Sequence, residues 1–238
     1  MVASRLTQTI LPPDTDQYRD LCEWIVSSCD ATSRVLDIGA GDGDVAYPEA
    51  IKPHIGSLVG VDPDPAVLRN GYLDAAHHAT IEEFALECNE PFDAAFAVYV
   101  VEHVDEPRRF LDSVRSCLKP GGAFFGVTPN MWHYFGLTAR AAAAIGVEEW
   151  LLHRLRGAEL TDHYHFPVRY RMNTVSALGR VATAAGFRSL DIHHLDDPGV
   201  FEGYFPRRFR RFPTLYSRAV YRIGRPAALG TLIFRMTT

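Results

Sequence analysis

Apolar residues fall in short blocks along this chain, and the spacing of the blocks predicts its elements. Leu21, Trp24, Ile25 and Ser28, within 18–29, recur at helical spacing and predict an amphipathic helix. Arg34 to Ile38 is a short apolar strand that runs directly into glycines, and a helix follows to about Ile51. Ser57 to Val61 predicts a second strand, 64–70 a helix, and the stretch around Thr80 and Ile81 a weaker third strand. Phe92 to Val100 is almost wholly apolar, as expected of a parallel strand covered on both faces. A helix over 105–118 is stopped by Lys119-Pro120-Gly121-Gly122, and Ala123 to Thr128 is the fifth strand. Strand and helix alternating in this way predict βαβ units and a doubly wound, mostly parallel sheet.

The regularity lapses from Pro129 to Arg171. That insertion carries an Ala-rich helix (Thr138 to Ala144), a second helical stretch near Trp150 to Leu155, and a loop dense in aromatics and histidine. Order resumes with a helix over 173–185 closed by Gly186, a strand at Ser189 to Leu195, a helix at Phe212 to Ile223, and a last strand over 230–236. The expectation is an α/β fold with a seven-stranded sheet and a helical and loop insertion after the fifth strand. The insertion falls where strand carboxyl ends open into a crevice.

With 238 residues, 47% hydrophobic and 22% charged, one domain can bury a full core. Its expected parts are an N-terminal helical cap (1–33), a cofactor half (34–130), a lid over the acceptor site (131–172) and a C-terminal half with a basic tail (173–238). No apolar run reaches the roughly 18 residues of a membrane span. The first twenty residues are polar and proline-broken, with no signal-peptide core, so a cytoplasmic location is expected by default. Four cysteines without CxxC spacing read as free thiols.

The net charge is −5, yet Gly203 to Thr238 holds eight arginines and no acid. An acidic body argues against nucleic acid as a partner. The tail has three readings: a solvated helix face packed on the sheet, a homodimer contact, or a weak contact with a membrane surface or lipid-linked substrate.

The most informative stretch is Val35-Leu36-Asp37-Ile38-Gly39-Ala40-Gly41-Asp42-Gly43. Glycines at alternate positions let backbone approach a ligand closely. Asp62, at the end of the second strand, can accept both hydroxyls of a ribose. A dinucleotide loop, GxGxxG, would need glycine at position 44, which is Asp44. Asp37, Asp42 and Asp44 suit a cation better than a pyrophosphate. S-adenosylmethionine, with its sulfonium and ammonium, is such a cation.

Here the sequence resembles the class I S-adenosylmethionine-dependent methyltransferases, in particular those of quinone biosynthesis. The likeness runs from Val35 to Asn130. It comprises the DxGxGxG loop, Asp62, Pro91-Phe92-Asp93, Val101-Glu102-His103-Val104, Leu118-Lys119-Pro120-Gly121-Gly122 and Thr128-Pro129-Asn130. It implies a Rossmann-like sheet and a role for each matched residue. Asp37, Gly39, Ala40 and Gly41 would hold the methionine portion, and Asp62 with Pro63 the ribose. Ile81 and Glu82 would meet adenine, Glu82 standing where Asp is usual, and Val98 and Tyr99 would border the sulfonium. S-adenosylhomocysteine would be the product.

Methyl transfer from a sulfonium is a displacement in which alignment does most of the work. A hydroxyl acceptor also needs a base, often histidine. His103 is the first candidate. In the insertion, beside His133, Tyr134 and His153, His163 and His165 are the others. Asp162, His163 and His165 match no stringent metal motif, so no metal is expected. The expected activity is O-methylation of a small-molecule acceptor. The alternatives are transfer to carbon or nitrogen, or cofactor binding without turnover.

Overall fold

The computed structural model describes residues 5–44, 47–138, 167–203 and 205–238. The described elements, in order, begin with β1 (Arg5–Ile10), α1 (Gln17–Val26), β2 (Arg34–Ile38), α2 (Tyr47–Ile51) and β3 (Ser57–Asp62). Then come β4 (Ala75–His78), α3 (Ile81–Glu87), β5 (Phe92–Val98), α4 (Pro107–Ser116) and β6 (Leu118–Pro129). The C-terminal part supplies α5 (Val175–Ala185), β7 (Ser189–Leu195), the short α6 (Gly199–Glu202), α7 (Phe212–Ile223) and β8 (Thr231–Thr237). The two helical stretches expected from 138 to 155, and the loop with His163 and His165, lie outside the described residues but for Thr138.

Eight strands form one sheet in the order β1-β7-β8-β6-β5-β2-β3-β4, parallel except for β8. Because β2, β3 and β5 are buried on both faces, successive residues serve opposite cores. Leu36, Ile38, Val59 and Val61 pack with Phe110, Leu111 and Val114 of α4 and Leu178 of α5. Val35, Leu58 and Phe96 pack with Leu21 and Ile25 of α1 and Ile51 of α2. The chain order reverses between β2 and β5, and this switch point opens the crevice at the strand carboxyl ends.

The sheet has one more strand than the expected seven. The addition is β1, which pairs in parallel with β7 at the sheet edge, in a stretch expected to form part of a helical cap. All six of its residues are exposed, so burial leaves no apolar alternation to read; the backbone pairing alone defines the strand. The third strand also moves, from 80–81 to Ala75–His78. Thr80 instead caps α3 in a capping box: its hydroxyl accepts from the Glu83 amide at 3.3 Å, and its own amide donates to Glu83 Oε2 at 2.9 Å. The helix expected over 64–70 is a 3-10 turn, Pro65–Arg69. Gly186 closes α5 with φ 86°, as expected, and Thr174 is its N-cap.

Candidate functional site

The crevice is built on the turn after β2. Gly39 (φ 77°), Gly41 (φ 52°) and Gly43 (φ 91°) all sit in left-handed backbone. A Cβ on Gly39 would fall 2.3 Å from Val100 Cγ2, so only glycine lets this loop close against the end of β5. Asn70 braces the loop from below, its amide donating to Ala40 O at 2.9 Å and Gly41 O at 3.3 Å.

Asp62 is locked in place beside the loop. Its Oδ2 accepts from the Gly41 amide at 3.0 Å and its Oδ1 from the Asp64 amide at 2.7 Å. Each oxygen keeps a second lone pair for a ligand hydroxyl. Pro63 follows, its carbonyl against His78 Nε2 at 3.0 Å.

Asp37 is fully buried, and neither carboxylate oxygen has a hydrogen-bond partner. Burial, and then the charge of Asp62, push its pKa well above the ordinary carboxylate range. A buried carboxylate with nothing to bond is costly unless something fills the role of partner. The residues therefore fit a ligand that brings positive charge and hydrogen-bond donors to this end of the loop.

The predicted adenine residues sit at the first turn of α3, Ile81 buried in the core and Glu82 half-buried next to it. Glu83 is committed to the cap of its own helix. Val98 ends β5, and Tyr99 follows with φ 54°. Among the described residues Tyr99 and Tyr170 are the only non-glycine residues with positive φ, and strain of this kind gathers at functional edges. Tyr99 donates its hydroxyl to Gln17 Oε1 at 2.9 Å, tying α1 to the crevice, and burial raises its pKa, so it serves as a neutral donor.

His103 lies in the turn beyond β5, its Nδ1 3.3 Å from the Pro167 carbonyl. A carbonyl can only accept, so Nδ1 is the donor in this contact. The neighbouring Glu102 is buried, accepts from Thr128 Oγ1 at 3.2 Å, and is pushed up to about 7 by desolvation. Its backbone carbonyl receives the Arg169 and Tyr170 amides at 2.7 and 2.9 Å, while Arg171 pairs with Asp105 at 2.8 Å. The turn thus clamps the returning end of the insertion. Asn173 is buried and donates to Thr128 Oγ1.

Sequence reasoning missed Asn70, Asn173 and Asp196 as parts of this edge. Asp196 and His133 form a buried pair with Nε2 and Oδ1 3.6 Å apart, beside the rings of Tyr134, Phe201 and Tyr216. Desolvation lowers His133 to about 4 and raises Asp196 to about 6. Pairing across such distances in sequence leaves no local pattern. The described residues contain no cluster of His, Cys, Asp and Glu able to hold a metal.

A family model described as a methyltransferase domain matches residues 14–192. A Ubiquinone biosynthesis O-methyltransferase of Agrobacterium fabrum is 31% identical over 203 residues, 82% of this chain and 73% of that one. A protein of the same name from Methylobacterium nodulans is 33% identical over 122 residues, 48% of this chain and 46% of that one. A SAM dependent methyltransferase from Archaeoglobus fulgidus shares the fold, with a TM-score of 0.56 at 16% identity over 93% of this chain and 92% of that one.

Proposed function

Because the chain belongs to the class I S-adenosylmethionine-dependent methyltransferases, we propose that it methylates a hydroxyl of a small-molecule acceptor. S-adenosylmethionine supplies an electrophilic methyl group on a sulfonium, which passes to the acceptor oxygen by direct displacement. The observation that carries the site assignment is the partnerless, fully buried carboxylate of Asp37 next to a clamped Asp62. In this reading Asp37, Gly39, Ala40 and Gly41 seat the methionine portion, with the Asp37 charge offset by the cofactor's ammonium. Asp62, with Pro63, orients the ribose. Ile81 and Glu82 border adenine, and Val98 and Tyr99 border the sulfonium.

The acceptor half rests on the names of the relatives and on His103. With its proton held at Nδ1 by the Pro167 carbonyl, Nε2 can take the acceptor hydroxyl's proton as the new C–O bond forms. His163 and His165 are the further candidates for that role.

The test is a product assay with methyl-labelled S-adenosylmethionine and matched phenol, catechol and aniline acceptors. Labelled ether is expected, and His103→Gln should lower kcat by about 10²- to 10⁴-fold while binding of S-adenosylhomocysteine stays unchanged. Label found only on nitrogen or carbon would overturn the oxygen assignment. An unchanged kcat would remove His103 from the chemistry.

A further inference from the structure

The apolar arc of α7 is wider than the part the fold buries. Pro213, Ser217 and Val220 are buried against the domain. About 120° further round, given 100° per residue, Phe212, which also packs on Tyr134, leads Leu215, Ala219 and Ile223 at i, i+3, i+7 and i+11, the spacing of a single helical stripe. All four are exposed, Leu215 at 61% and Ile223 at 67%. Just before the helix, Phe209 is 52% exposed.

Charge frames this stripe. Seven arginines lie between 207 and 225, every one exposed, and none makes an ion pair among the described residues. On the helix itself Arg211, Arg218 and Arg222 run along one flank of the stripe, given 100° per residue. The eighth arginine of the tail, Arg235, is different in kind: it pairs with Asp191 at 2.9 Å inside the sheet. An outward row of Phe, Leu and Ile bordered by unpaired arginines matches what an anionic bilayer surface offers, with acyl chains for the stripe and headgroups for the guanidinium groups.

We propose that this face of α7 docks on an anionic lipid surface. A second copy of the chain is a poorer occupant, since an isologous contact would set arginines against arginines. Nucleic acid would neutralise the arginines yet leave the apolar row without a partner. The helix also lies at the crevice edge of the sheet. Phe212 and Tyr216 pack on Tyr134, a few residues beyond the end of β6, at ring distances of 5.4 and 4.7 Å. Docking would therefore turn the carboxyl-end edge toward the bilayer. The proposal does not depend on which atom the enzyme methylates.

Co-sedimentation of the full chain with vesicles tests it, comparing phosphatidylcholine alone with phosphatidylcholine containing phosphatidylglycerol. Binding is expected only to the anionic vesicles, and it should be released as salt rises. Arg218→Gln with Arg222→Gln should weaken partitioning by about 25-fold, at roughly fivefold per arginine. Leu215→Ser with Ile223→Ser should weaken it comparably. These side chains are exposed, and retained binding of S-adenosylhomocysteine reports that both variants fold. Failure to bind anionic vesicles, equal binding to neutral ones, or full binding by either variant would overturn the proposal. So would a concentration-dependent dimer that Leu215→Ser with Ile223→Ser dissociates without any vesicle binding.

Discussion

Three carboxyl groups at the carboxyl edge of the sheet are held in environments that oppose their ionisation. Asp37 has no partner, Asp196 is raised to about 6 and Glu102 to about 7, in each case mainly by burial. Such groups make stability depend on pH. For Glu102 the folded value of about 7 lies above its ordinary 4.5, so the folded chain binds this proton more tightly than the unfolded one. Its contribution is complete below the ordinary value and is lost as pH rises through 7. His133 and His194, both lowered to about 4 from 6.5, act in the opposite sense: their contribution stands above 6.5 and is lost as pH falls toward 4. The two windows overlap between about pH 4.5 and 6.5, where the effects oppose, so thermal unfolding should show Tm falling between about pH 6.5 and pH 8, on the carboxylate limb. Glu102→Gln should flatten part of that limb and leave the acid limb in place. An identical profile in the variant would show that Glu102 ionises freely.

At the scale of elements, legibility followed burial. The central strands and α4, α5 and α7 were readable because one face or both had to be apolar, and the bounds of β7 and α7 match the apolar pattern. The glycine loop and Asp62 were readable because close backbone approach leaves a mark in residue type. β1 was not, since an edge strand with every side chain exposed is defined by hydrogen bonds that any sequence can make. Thr80 misled for another reason: Thr and Ile favour strands, but a Thr with Glu three residues on starts a helix. Thr80→Ala removes that cap and should cost about 1 kcal/mol, lowering Tm by roughly 2–4 °C in a chain of this size. Differential scanning fluorimetry reads it, and an unchanged Tm would mean that the cap carries no weight. The polar network of Glu102, Thr128 and Asn173 stayed hidden because its members are far apart in sequence and meet only across β5, β6 and α5.

Across the whole molecule, opposite charges are sorted to different jobs. The acids proposed to hold the donor gather where β2 and β3 end, while the basic tail decorates the outside of α7. No described helix is long and apolar enough to cross a membrane. In the proposed site, bare backbone and the carboxylates of Asp37 and Asp62 at the β2 and β3 ends form the seat of a cationic adenosyl donor. Isothermal titration of the wild-type chain and of Asp62→Ala with S-adenosylmethionine and S-adenosylhomocysteine tests it most directly. One-to-one binding to the wild type is predicted. Loss of the ribose contacts in Asp62→Ala should weaken it by about a hundredfold or more, at about 1.5–3 kcal/mol for each hydrogen bond to a charged group. No heat with the wild type, or equal affinity in the variant, would contradict the account.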